Sequence, residues 1–173
     1  MSGPITNSLH AKVREQIELT QKLIDRLPEN LDWRPAISQR TMDVGHLLGH
    51  ILECLSGFCA VFHAAFPKEM AHVISLKDKP VNHHCAKNEA KQRIEEYATR
   101  ITEGFTVCRD EDLARRIPSV FVPQGETLAT LLLGNLEHLI NHKYQLFFYV
   151  KSMGIEVATR DLYRFRQEAA QAD

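Results

Sequence analysis

From Glu126 to Met153 the chain places Leu132, Leu136, Leu139, Leu146, Val150 and Met153 in alternating steps of four and three, broken only where Lys143 stands. That rhythm is the signature of a helix facing a bundle, and Gly154 beyond it is a natural left-handed stop. Three further segments carry the same period. Ser8 to Leu27 puts Leu9, Val13, Ile17, Leu23 and Leu27 on one stripe, with Asn7 or Ser8 as N-cap and Pro28 as terminator. The next starts near Thr41 and ends before Pro67. Its Val44, Leu47, Leu48, Ile51, Leu55, Phe58, Phe62 and Phe66 form a broad apolar face, while Gly45 and Gly49, one turn apart, admit a second backbone. The third, Lys87 to Cys108, turns Ile94, Tyr97, Ala98, Ile101, Phe105 and Cys108 inward. Four amphipathic helices of similar length predict an all-α four-helix bundle, and 173 residues without a dividing linker suffice for a single domain, residues 1–173, with a sizeable core.

Two connections stand out. Pro67 to Ala86, rich in Lys, Asp, Pro and His, is longer than an ordinary helix–helix link and is expected to cover a site or pack against a partner. Ile117 to Gly125, with β-branched residues framed by Pro and Gly, predicts a short extended piece or hairpin before the last helix.

Composition excludes several function classes. The 21 basic and 22 acidic residues leave a net charge of -1 with no local run of Lys or Arg, so there is no electrostatic footprint for nucleic acid. The N-terminal Met-Ser-Gly-Pro-Ile-Thr-Asn-Ser has no basic region followed by an apolar core. The most apolar segment, Ile51 to Phe66, carries Glu53 and His63 and is too short for a bilayer. The expectation is a soluble, cytoplasmic protein with no signal peptide and no membrane partner. Cys54, Cys59, Cys85 and Cys108 form no CxxC pair and read as small buried apolar residues without disulfides.

Beside the apolar row of the last helix runs a second one in the same rhythm: Leu128, Leu131, Asn135, His138, His142, Gln145 and Tyr149. Its middle is polar. Burying such groups without partners costs on the order of 1–3 kcal/mol each, so the seam implies a lined cavity, bound water or a ligand that satisfies the imidazoles. Residues at i and i+4 sit about 6 Å apart along a helix axis, which lets His138 and His142 reach one metal ion at about 2.0–2.1 Å. An HxxxH pair alone reads more readily as two partly exposed or hydrogen-bonded histidines, and a third ligand from another helix would change that reading. The second helix offers His46 and His50 on one row, and either completes a three-histidine set. All four together would make a closed, structural site, whereas three leave positions open for water or substrate.

The other histidines read more plainly. His83 and His84, in the long connection, are expected to be solvated, with a weaker claim as substrate contacts, and His10, His63 and His72 are expected at the surface or its boundary. Trp33 reads as a cap on the bundle's end rather than part of a pocket mouth. Glu69-x-x-His72 is half of a di-iron bundle pattern that has no second copy in the chain, so a di-iron site is rejected.

Gly49-His50-Ile51 on the second helix, preceded by Leu31-Asp-Trp33-Arg-Pro35, and His138-Leu-Ile-Asn-His142-Lys-Tyr-Gln145-Leu on the last together resemble the DinB/YfiT-like superfamily of metal-binding four-helix bundles. The likeness covers nearly the whole chain, in order. It implies that His50, His138 and His142 bind a divalent transition metal (Zn, Ni or Fe), that Gln145 acts beside them by orienting a ligand or substrate, and that the protein is a homodimer. A divalent ion held by three neutral imidazoles lowers the pKa of bound water or of a thiol, which supports hydrolysis or thiol transfer. The superfamily includes S-transferases and a mycothiol-dependent isomerase, so the resemblance implies a transferase whose small-molecule substrate is a low-molecular-weight thiol. A metal-dependent hydrolase, and a non-enzymatic stress-related bundle with a structural or vestigial metal site, are the alternatives.

Overall fold

The computed structural model describes residues 3–35, 41–118 and 123–164. Four long helices form the bundle: α1 (Pro4–Asp25), α2 (Val44–Ala65), α3 (Lys87–Val107) and α4 (Leu128–Ser152). α2 packs against both α3 and α4, and α1 closes the opposite side against the same two helices. Val13, Leu23, Leu48, Ile51, Phe58, Phe62, Tyr97, Phe105, Leu139 and Leu146 are fully or almost fully buried between them.

Each boundary has a local cause. α1 begins earlier than the stripe suggests, at Pro4 in the first turn, and neither Asn7 nor Ser8 caps it. Its free N–H groups are taken by a remote carboxylate: Asp110 accepts from Thr6 N at 2.8 Å, Ile5 N at 3.2 Å and Thr6 Oγ1 at 2.7 Å. α2 starts at Val44 rather than Thr41 because Asp43 is its N-cap, accepting from His46 N at 2.8 Å, while Trp33 and Leu31 carbonyls take the Val44 and Gly45 amides. Thr127 caps α4 by accepting from Thr130 N at 3.1 Å. At the far end Gly154 adopts φ 79°, Ile155 N donates to Val150 O and Gly154 N to Lys151 O, the paired bonds of a Schellman stop.

By length and composition α2 is apolar enough to cross a bilayer, a longer span than Ile51 to Phe66 suggested, yet 56% of its apolar window is buried inside the bundle. The extended piece before α4 is minimal. Strand β1 (Arg116–Ile117) pairs antiparallel with β2 (Glu126–Thr127), Arg116 opposite Thr127 and Ile117 opposite Glu126. Residues 119–122 of the expected hairpin lie outside the described residues.

Lys143, the interruption in the apolar row of α4, does not turn outward. It is 2% exposed, and its Nζ donates to Gln16 Oε1 on α1 and to Leu162 O, both at 2.6 Å. Burial pulls its ammonium down to about 8.

Candidate metal centre

The facing rows of α2 and α4 bring His50 together with His138 and His142. The three rings meet edge to face, with centroids 5.1 Å apart for His50 and His138, 4.4 Å for His50 and His142, and 4.8 Å for His138 and His142. One ring nitrogen from each lies within 4.8 Å of the other two, and all three residues are half-buried. This is the cross-helix convergence that an HxxxH pair alone leaves open.

Neighbours decide which nitrogen is available. His50 Nδ1 faces two oxygens, Asn82 Oδ1 at 2.5 Å and Glu53 Oε2 at 2.8 Å. His142 Nδ1 stands 3.0 Å from Gln145 Oε1. Carboxylate and amide oxygens only accept, so both Nδ1 atoms carry the proton and both Nε2 lone pairs are left for an ion. Gln145 is fixed in turn, its Nε2 donating to the Tyr149 hydroxyl at 3.1 Å, which donates to Met42 O at 3.1 Å. Trp33 meets the Tyr149 ring edge-on at 5.4 Å, so the only tryptophan braces this relay as well as packing against the core.

Of the two second-helix candidates, the structure brings in His50 and leaves out His46. Both Asp43 carboxylate oxygens lie 2.9 Å from His46 Nδ1, and the half-exposed ring stacks edge-on against His84 at 5.3 Å. Burial pushes the Asp43 carboxyl up, but the His46 amide and ring outweigh it and hold Asp43 below the usual carboxylate range. His84 faces Asp32 at 3.2 Å and remains exposed, as expected of the long connection, whereas His83 pairs with Glu89 at 2.9 Å and is half-buried.

The long connection reaches the site because α2 lacks side chains where it crosses. Cys85 N donates to Gly45 O at 3.0 Å and Asn82 N to Gly49 O at 3.1 Å, which seats Asn82, in the left-handed region at φ 57°, above His50. Sequence reasoning missed Asn82 and Glu53. Glu53, three residues after His50, was legible from helical spacing, whereas nothing local to Asn82 marks it.

Burial lowers the pKa of His138, with the charge of His50 adding to the effect and Glu53 opposing it. Burial likewise lowers His142, against the opposing hydrogen bond to Gln145. Both imidazoles are therefore neutral at neutral pH, the form that coordinates. His50 also lines a cleft of about 560 Å³ with Arg34, Thr41, Met42, Asp43, His46 and Asn82, which gives the cluster an approach from solvent. Three imidazole nitrogen donors with outer-shell acceptors fit a borderline divalent transition ion, and not Mg or Ca, which take oxygen ligands.

The DinB family model matches residues 1–173. Among solved structures, the DinB-like protein YjoA of Bacillus subtilis superimposes with a TM-score of 0.69 at 20% identity, over 91% of this chain and 99% of that one, a likeness of fold. No curated protein matches the sequence.

Proposed function

The chain belongs to the DinB family, and from that membership we propose that it binds one divalent transition metal through His50, His138 and His142 and acts as a transferase on a low-molecular-weight thiol. The observation that carries the reading is the convergence of the three imidazoles, with Asn82, Glu53 and Gln145 holding the tautomers that free Nε2. A bound ion of this class supplies Lewis acidity that favours a thiolate over a thiol at neutral pH.

The chain's own groups do the rest. Gln145 and Tyr149 hold the His142 ring, while Asn82 and Glu53 hold His50. Arg34, paired with Asp43 at 3.2 Å on the cleft wall, offers a cation to a carboxylate on the cosubstrate. In the transfer itself the thiol loses its proton, its sulfur forms the new bond to the electrophile, and the leaving group departs with the electron pair. No protein nucleophile takes part.

The same reading includes a cytoplasmic homodimer. Leu133, Ile140, Tyr144 and Phe148 lie along one outward face of α4, 53%, 36%, 57% and 45% exposed, and a second copy would cover them.

The test is elemental analysis of the tag-free protein beside His50→Ala and His142→Ala, followed by Co(II) substitution and titration with thiols. About one equivalent of metal lost in both variants, and a cobalt spectrum that shifts with thiol, support the reading. A metal-free protein that takes up neither zinc nor nickel overturns it. Ester hydrolysis without thiol would point to a hydrolase, and a metal site indifferent to thiols to a structural role.

A further inference from the structure

The connection between α2 and α3 carries a second cluster of metal-ligating groups that the triad does not use. One ring nitrogen of His83, Cys85 Sγ and a carboxylate oxygen of Glu89 lie within 4.8 Å of one another where the loop enters α3. His83 Nε2 stands 2.9 Å from Glu89 Oε1, whereas His83 Nδ1 is buried and has no hydrogen-bond partner. Nε2 is the nitrogen turned towards Glu89, so it is the one that an ion shared with that carboxylate would take, the ring proton then sitting on the buried Nδ1.

We propose that His83, Cys85 and Glu89 form a second site for a divalent transition ion, of the class that takes mixed nitrogen, sulfur and oxygen ligands, with Zn(II) the best match. Imidazole, thiolate and carboxylate are the three ligand types zinc accepts in tetrahedral sites, and a hard cation such as Mg(II) would not take the sulfur. The fourth position falls to water. Thiolate and carboxylate together cancel the charge of the ion.

Arg93 lies 3.4 Å from Glu89 Oε1, but its guanidinium is held independently by Pro80 O and by the Tyr97 hydroxyl at 2.8 Å. It therefore keeps its partners when Glu89 turns to the ion. Burial, with the Glu89 charge adding to it, pushes the Cys85 thiol up to about 12, so in the free protein the sulfur keeps its proton. Uptake of the ion releases that proton, while His83 enters neutral and Glu89 enters ionised, and affinity rises with pH accordingly. The two sites share no residue. They are nonetheless adjacent in the chain, because Asn82, which holds His50, immediately precedes His83. An ion here would brace the loop that reaches the triad.

The experiment uses Co(II) and the full-length, metal-stripped protein carrying His138→Ala and His142→Ala, under anaerobic conditions. The triad contains no sulfur, so a thiolate-to-cobalt charge-transfer band distinguishes this site from it, and the same band can be read in the parent loaded with excess Co(II). The expected result is one equivalent of Co(II) with that band, lost on Cys85→Ser and kept on Cys54→Ser, the cysteine one turn beyond His50. His83→Ala, and Glu89→Gln, which preserves size and fold if the cysteine variant does not fold, should weaken Co(II) binding at least about tenfold. The proposal fails if saturating Co(II) gives no such band in either background, if the band survives Cys85→Ser, or if Glu89→Gln and His83→Ala leave affinity unchanged. None of these outcomes depends on the triad being catalytic.

Discussion

Replacing Gly49 with alanine should weaken metal binding although it touches none of the three imidazoles. A methyl at position 49 would overlap the His83 carbonyl oxygen and lie 2.8 Å from His83 N and 3.0 Å from its carbonyl carbon, where ordinary contacts begin at 3.4 Å. Backbone cannot rotate away, so the loop must retreat by about 1 Å or more. Retreat loosens the Asn82 N–H to Gly49 O bond of 3.1 Å and draws Asn82 Oδ1 back from His50 Nδ1. Overpacking of this kind costs about 1–3 kcal/mol. In a chain of this size each kcal/mol lowers Tm by about 2–4 °C. Losing an outer-shell acceptor costs about 10–100-fold in metal affinity.

Gly45→Ala is the matched control. There the methyl would meet the His84 ring, with Cδ2 and Cε1 at 2.6 Å, an exposed side chain that can turn aside by giving up its contacts with Asp32 and His46. Its cost should be smaller than that of Gly49→Ala, because a side chain and not backbone gives way, with metal affinity unchanged. Thermal melts of the metal-free proteins and competition against a chromophoric chelator read both arms. Equal melting and equal affinity for Gly49→Ala and the parent would refute the argument, as would equal losses in the two variants.

Gln145→Leu removes the acceptor of the His142 N–H while keeping bulk, and should weaken metal binding about 10–100-fold by chelator competition; Tyr149→Phe, one link further out, should cost less. Because the pKa values of His138 and His142 are lowered, protons should displace the ion only as pH falls below the ordinary histidine value of 6.5, and full metal occupancy at pH 4.5 would exclude an all-histidine site. Lys143 has a folded pKa of about 8 against 10.5 unfolded, so the unfolded chain binds the extra proton between those values and stability climbs as pH rises through them. From pH 7 to pH 10 the parent should gain about 2–3 kcal/mol relative to Lys143→Met in urea melts, and a pH-independent difference would contradict the buried ammonium.

Much of this architecture was legible because it is periodic. The apolar stripes of α2, α3 and α4 place the core, and the same spacing sets His138 and His142 on one face with His50 opposite. What escaped depends on contacts distant in sequence. α1 starts at Pro4 because Asp110 caps it across more than a hundred residues of chain, a partnership with no local signature. Lys143 looks like a break in the core row, but Gln16 and the Leu162 carbonyl let it stay inside. The choice between His46 and His50 had a readable clue in Asp43, whose position as N-cap three residues before His46 also claims that ring. Asn82 had none, since only the closeness of Gly49 to the loop brings it to the site.

The bonds from His142 through Gln145 and Tyr149 to the Met42 carbonyl all donate in one direction, and Met42 lines the cleft. Such a chain polarises as a unit. An ion on His142 makes its N–H a stronger donor, which strengthens each later bond and tightens the hold on Met42. By thermodynamic reciprocity, a cleft ligand that prefers the tightened Met42 must raise the affinity for the ion by the same factor, so the two occupants of this small bundle would favour each other without ever touching.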